Sequence, residues 1–220
     1  MWTAAKRAAG PAIRAGARVR DGRLERRYGL PREASGIVWL KDQGYAGSDR
    51  NSYAPTPWGV LERVLPVDEV SAQDVFLDLG CGMGRVLLEA GLHYPFAHLE
   101  GVELVPANAA TAREVLARNE HLLRCRSWNV VTSDVVDYSP PDEATVVFLH
   151  DPFTGPVFDA AVEQLEASVE RRPRRLRVVY LTPSESDRLV RSGVVTHTGS
   201  FRVLSIGARL RYVVCELGPR

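Results

Sequence analysis

From residue 74 onward, short apolar runs alternate with longer segments whose apolar residues recur at helical spacing. DVFLDLG (74–80), HLEGVEL (98–104), SWNVVTSD (127–134), ATVVFLHD (144–151) and LRVVYLT (176–182) read as strands, with 144–151 in a central position. Residues 83–92, 106–122, 155–171 and 184–191 read as helices, and Arg172-Pro173 stops the third because proline cannot continue the hydrogen-bond ladder. VVTHTGSFRVL and ARLRYVVCEL flank Ser205-Ile206-Gly207 and read as a terminal hairpin. Strands that are apolar throughout belong to a parallel sheet covered on both faces. Right-handed crossovers then predict an α/β fold. Its doubly wound, mostly parallel seven-stranded sheet has helices on both faces and a C-terminal antiparallel hairpin.

The remaining chain divides into two zones ahead of a core domain at 67–220. Residues 1–27 carry eight basic residues (Lys6, Arg7, Arg14, Arg18, Arg20, Arg23, Arg26, Arg27) against Asp21 and Glu25, with helical composition interrupted by Gly10-Pro11 and Gly16. The expectation is a solvated extension, partly disordered or helical, with RNA as the acidic partner such an arm could meet. Residues 28–66 are rich in turn formers and aromatics, and 55–66 predicts a short helix with Val60, Leu61, Val64 and Leu65 on one side. This zone is expected to cover the mouth of the core domain as a lid or substrate segment.

Composition narrows the function classes. The 220 residues suffice for one domain with a full core, and a net charge of +1 gives no global pull toward nucleic acid or membrane. No apolar run is long enough for a span, and the N-terminus lacks the apolar region of a secretory signal, so a cytoplasmic location is expected. Cys81, Cys125 and Cys215 are scattered without CxxC spacing, which argues against a disulfide framework or zinc, and no metal site is expected.

The most informative stretch is VFLDLGCGMGR, a strand, a glycine turn and a helix start. Glycines there permit positive φ and close ligand approach, and the loop lies where open α/β sheets bind ligands. The pattern is Gly80-x-Gly82-x-Gly84, with Arg85 where a dinucleotide fingerprint needs its third glycine, and no Walker lysine follows. Asp78 would repel a pyrophosphate but suits a cationic amino group. Glu103 ends the next strand about 20 residues on, where an acid can accept hydrogen bonds from ribose hydroxyls. Asp134 ends the third strand.

These residues resemble the class I S-adenosylmethionine (SAM)-dependent methyltransferases over roughly residues 53–217. DLGCGMG is similar to their first motif, GVEL to their ribose-binding acid and SDVVDY (133–138) to their adenine-contacting loop. The resemblance implies SAM as cofactor, contacted by Asp78, Gly80, Cys81, Gly82, Gly84, Glu103, Leu104, Asp134 and Val135.

HDPF (150–153) is similar to the NPPY-type motif of amino-group methyltransferases, with Asp in place of Asn and one proline only. It implies Asp151 as the group that holds or deprotonates an amine, while His150 could serve as base for a hydroxyl. YAPTPW (53–58) is similar to a Tyr-x-Pro segment of non-SET protein-lysine methyltransferases, in which Tyr53 and Thr56 would cover the methionine end of SAM. The expected activity is methyl transfer to an amine of a small molecule, peptide or protein side chain, with no membrane partner. Two alternatives stand beside it: an O-methyltransferase using His150, and a noncatalytic RNA-binding protein that keeps the fold.

Overall fold

The computed structural model describes residues 2–45 and 49–218. Its strands are β1 (Val75–Leu79), β2 (His98–Glu103), β3 (Trp128–Thr132), β4 (Val146–His150), β5 (Leu176–Leu181), β6 (Val194–Val203) and β7 (Ala208–Leu217). They form one sheet in the order β3-β2-β1-β4-β5-β7-β6. β7 pairs antiparallel with both its neighbours, and the other pairings are parallel. The doubly wound sheet and terminal hairpin read from the sequence are therefore present.

Side chains alternate across this sheet. Phe76, Phe148, Val179 and Leu181 join one apolar cluster, and Leu77, Val147, Val178 and Tyr180 join the other. Helices α3 (Arg85–His93) and α4 (Pro106–Asn119) cover the first face through Leu87, Leu88, Ala112 and Leu116. Helix α5 (Gly155–Arg171) covers the second through Phe158, Val162 and Leu165, joined by Leu189 of α6 (Ser186–Ser192). β1 has β2 on one side and β4 on the other, so its carboxyl end is the point where successive crossovers diverge and a cleft opens.

Two expectations need correction. The helix predicted over 55–66 shrinks to α2 (Leu61–Val64), because Pro55 and Pro57 lack amide hydrogens and hold the preceding stretch irregular. Conversely, α1 (Trp2–Tyr28) runs unbroken through Gly10-Pro11 and Gly16. The side chains of Lys6 and Arg7 lie outside the described residues. Those of the second half pack onto the body at helical spacing. Arg18 Nε donates to Ser205 O (3.0 Å), Asp21 is buried, and the Tyr28 ring meets Trp58 at 5.8 Å. Asn119 Nδ2 donates to Tyr28 O (2.9 Å). The helix closes at Gly29 (φ +72°), with Leu30 N donating back to Glu25 O (2.9 Å). Tertiary contact of this kind outweighs local propensity, so this half is a docked element of the domain. Among the described residues, no helix is long and apolar enough to cross a membrane.

The second face depends on aromatic packing. Phe158 is fully buried, with its ring stacked 5.3 Å from Tyr180 and 6.1 Å from Phe153. Phe158→Ala is expected to lower unfolding free energy by about 3–5 kcal/mol. Urea unfolding with an unchanged m-value checks this, and a loss below about 1 kcal/mol would contradict the packing.

Candidate active site

The loop after β1 is shaped by three glycines with φ of +84° (Gly80), +56° (Gly82) and +81° (Gly84). A Cβ on each would strike a different element: Pro152 at 2.6 Å, the Tyr53 ring at 2.4 Å and Ala112 at 2.9 Å, respectively. The loop is thus pressed from three sides by the turn after β4, by the segment before α2 and by α4. Gly80 N and Cys81 N both donate to Val102 O (2.9 and 3.0 Å). Cys81 is buried against Gly101, and burial pushes its thiol up, so it serves as packing rather than as a nucleophile.

A cleft opens over this loop. Its wall includes Tyr53, Thr56, Asp78, Gly80, Cys81, Glu103, Leu104, Asp134, Val135 and His150. Of the thirteen residues expected from the sequence, Gly82 and Gly84 shape the loop from behind, and Asp151 stands outside the wall.

The three acids of the cleft stand in three different states. Asp78 is 3% exposed, and its Oδ2 has no hydrogen-bond partner among the described residues. Burial, and secondarily the charge of Glu103, push its carboxyl up to about 8. Glu103 is satisfied by backbone: Oε2 accepts from Gly82 N (2.8 Å) and Oε1 from Val105 N (2.9 Å). Burial still raises its pKa against those hydrogen bonds and the ones from the Asn108 side chain and the Leu104 amide. Asp134 caps the short turn Val135–Asp137 through Val136 N (3.2 Å) and accepts from Arg50 Nη2 at 2.5 Å.

Arg50 belongs to a strap over the cleft. Asn51 N donates to Pro152 O (2.8 Å), Asn51 Nδ2 to Asp151 O (2.7 Å), and Thr154 N to Asp49 O (2.7 Å). The strap therefore ties the turn after β4 to the loop after β3. Farther along, the Tyr53 ring lies over Gly82 while its hydroxyl donates to Ala34 O (3.1 Å). Burial raises that phenol to about 12, so Tyr53 covers the loop as a ring and does not act as a base.

The two residues expected to handle substrate protons behave differently. Asp151 has φ of +47°, a left-handed turn position that Asp tolerates. Its Oδ1 accepts from the Tyr180 hydroxyl (2.8 Å) and from the hydroxyl and amide of Ser184. That carboxylate holds the turn from behind, and the role of amine acceptor drawn from the NPPY-type resemblance has no geometric support at its side chain. His150 does face the cleft, with Nδ1 2.8 Å from Thr56 Oγ1. Burial pulls it down to about 4 despite the neighbouring Asp151 charge, so it is neutral near pH 7 and a weak proton acceptor for a hydroxyl. Sequence reasoning passed over Arg50, Asn51 and Arg85. The departure of Arg85 from the dinucleotide pattern was the one signal available for the third.

Comparison with known proteins agrees with this geometry. The family "Histone methylation protein DOT1" matches residues 40–139. A protein-lysine N-methyltransferase of Saccharolobus islandicus (strain REY15A) is 40% identical over 68 residues, which are 31% of this chain and 40% of that protein. The match thus spans less than half of that relative's length. Precorrin-6y C5,15-methyltransferase from Geobacter metallireducens GS-15 superposes with TM-score 0.57 at 15% identity, over 80% of this chain and 95% of that one. N-methyltransferase NodS from Bradyrhizobium japonicum WM9, solved with S-adenosyl-L-homocysteine, gives TM-score 0.52 at 12% identity over 80% and 94%.

Two substitutions test the geometry. Gly82→Ala places a methyl group inside the Tyr53 ring at a strained φ, and is expected to displace the 53–56 segment and open the cleft, seen as faster amide exchange there. The second concerns pH. Asp78 and Glu89, whose buried carboxyl is also raised to about 8, keep their protons in the folded protein but lose them near pH 4 when unfolded. The folded state binds more protons across that window, so stability falls as pH rises from about 4 to about 8. Asp78→Asn is expected to flatten that decline by up to about 1.4 kcal/mol per pH unit. Urea unfolding from about pH 5 to about pH 7 reads the slope, and an unchanged slope would show Asp78 ionised. By its sheet order and terminal hairpin, the chain has the seven-stranded fold of the methyltransferase structures to which it is similar.

Proposed function

We propose that this chain transfers a methyl group from SAM to an amine nitrogen, with the lysine side chain of a polypeptide as the first substrate class to test. One observation carries the cofactor half of this reading: a buried carboxyl oxygen of Asp78 with no partner among the described residues, in the wall of a glycine-lined cleft. A ligand ammonium would supply the missing donor and the compensating charge. Glu103, a carboxylate in the cleft wall at the end of β2, is the acceptor for the hydroxyls of a ribose. Val135 and Leu104 offer apolar wall for a base. When bound, SAM supplies an activated methyl group on a sulfonium.

The residues of the chain then have three tasks. Tyr53 and the strap exclude water over the loop. Thr56 and His150 present neutral hydrogen-bonding groups at the carboxyl end of β4. Among the described residues, the wall there carries no unpaired carboxylate, since Asp151 is held by Tyr180, Ser184 and Asn51 and Asp134 is paired with Arg50. A low-dielectric wall of neutral acceptors favours the uncharged form of an entering amine, which is the form that attacks. Proximity and alignment supply most of the remaining acceleration, on the order of 7–11 kcal/mol.

The lysine assignment draws its support from the relatives: one is named a protein-lysine N-methyltransferase and the family match is to a histone methylation protein. The His150-based O-methylation reading gains nothing from an imidazole held at about 4. The RNA-binding reading gains little from an arm whose Arg18 is bound to the hairpin.

Titration calorimetry with S-adenosylhomocysteine (SAH) tests the cofactor. Micromolar binding is expected, weakened at least about tenfold in Asp78→Asn and in Glu103→Ala, because each loses charge-assisted hydrogen bonds. An ammonium beside Asp78 lowers its pKa, so binding near pH 7 is expected to release close to one proton. That release is read from the dependence of the heat on buffer ionisation enthalpy. Binding that is indifferent to both variants and releases no proton would overturn the reading. Methylation of lysine-containing peptides, with serine-containing controls, then tests the substrate class.

A further inference from the structure

Arg85 follows the glycine loop directly and opens α3, yet its side chain is 6% exposed and reaches back toward the N-terminal elements. Nη2 donates to Glu25 Oε1 (2.6 Å) and to Ala34 O (2.7 Å), and Nη1 to Thr56 O (3.3 Å). The guanidinium carbon lies 5.5 Å from the centroid of the Trp58 ring. The Tyr53 hydroxyl donates to the same Ala34 carbonyl, and the second oxygen of Glu25 accepts from Ser35 Oγ (2.5 Å).

We propose that Glu25 and Arg85 are positioning residues, forming a strut through which α1 presses the Tyr53–Thr56 segment onto the glycine loop in its cofactor-accepting shape. The segment needs such a strut. Pro55 and Pro57 offer no amide hydrogens, and its one backbone pairing among the described residues is the bridge of Tyr53 to Val38. The Ala34 and Thr56 residues are buried, and their carbonyls require donors. A guanidinium has five donors in a fixed fork and can tie three separate stretches of chain at once. Its charge, in turn, requires a partner at this depth. Glu25 is the one acid bonded to it among the described residues. The consequence runs in one direction: α1 compensates Arg85, Arg85 fixes Thr56 and Ala34, and these fix Tyr53 over Gly82 and Thr56 on His150. Glu25 and Ala34 do not line the cleft, so the effect of Glu25 on the cofactor is indirect; Arg85 does line it, which makes Glu25→Gln the variant that separates positioning from contact.

What the strut does to binding rests on the SAM reading above, whereas what it does to the segment rests on geometry alone, so the experiment reads both. In the full chain, Glu25→Gln keeps the acceptor oxygen and removes the charge, Arg85→Met removes all three hydrogen bonds, and Arg85→Lys restores a charge without the fork. Hydrogen exchange of the ligand-free protein is followed by mass spectrometry over residues 49–58 and over β4, with SAH affinity measured in parallel. Exchange over 49–58 is expected to rise about tenfold or more in Glu25→Gln and Arg85→Met, with β4 unchanged, and SAH affinity to fall about tenfold. Arg85→Lys is expected to lie between Arg85→Met and wild type. Unchanged exchange over 49–58, or an equal rise in β4, would overturn the strut. If Arg85→Met does not fold, Glu25→Gln decides. If wild type itself fails to bind SAH, the cofactor reading falls and the exchange data still judge the strut.

Discussion

Asp78 stands on the central strand between Leu77 and Leu79, two residues beyond Phe76, and no described residue bonds one of its carboxyl oxygens. A charge there would be held in low dielectric without a partner, which costs several kcal/mol, so the group holds its proton instead. The strand tolerates it because β1 is paired on both sides and its other side chains fill both cores. The surrounding parts make sense as an enclosure for this one group. The glycines bring bare backbone to its rim, Tyr53 and the strap limit water, and Glu103 is held a short distance away by backbone amides. Filling the cleft with a partner for Asp78 would convert its neutral acid into an ion pair, which makes ligand binding, protonation and stability one coupled equilibrium.

The treatment of the three acids follows from where each strand ends. Glu103 closes β2 beside the amides of Gly82 and Val105, and two backbone donors satisfy it without any cation. Asp134 follows β3 at the edge of the cleft, and it is balanced by Arg50 of the strap. Asp78, deepest, has neither. The result is a cleft with an unmet demand for positive charge at its floor and balanced charge at its rim. Such a gradient orients a zwitterionic ligand by its ammonium.

Much of this was readable beforehand, for a physical reason. Parallel strands buried on both faces write themselves as continuous apolar runs, and positive φ at a tight turn writes itself as glycine, so β1, its loop and the acids after β2 and β3 stood out. Helix α5 was bounded correctly at 155–171, with Arg172-Pro173 as its stop. What failed had its cause in tertiary structure. Nothing local says that a basic Ala/Arg stretch will dock, because the decisive residues of α1 are a single glutamate and a few spaced side chains whose partners lie far along the chain. The side-chain partners of Asp151 were hidden for the same reason. Its position at a strand end is legible, but which way its carboxylate turns depends on Tyr180 and Ser184, two elements away.

That reversal at Asp151 bears on substrate choice. A carboxylate aimed into the cleft would stabilise an ammonium and hold it in its unreactive, protonated form. Turned outward onto Tyr180 and Ser184, the same group instead stiffens a strained turn. The carbonyls of that turn are ordered by Asn51. Neutral acceptors bind an amine through its hydrogens without favouring its charged form, whereas a hydroxyl substrate would need a base stronger than the buried His150. On the amine reading proposed above, the nucleophile loses its extra proton to water before it enters and asks no base of the cleft.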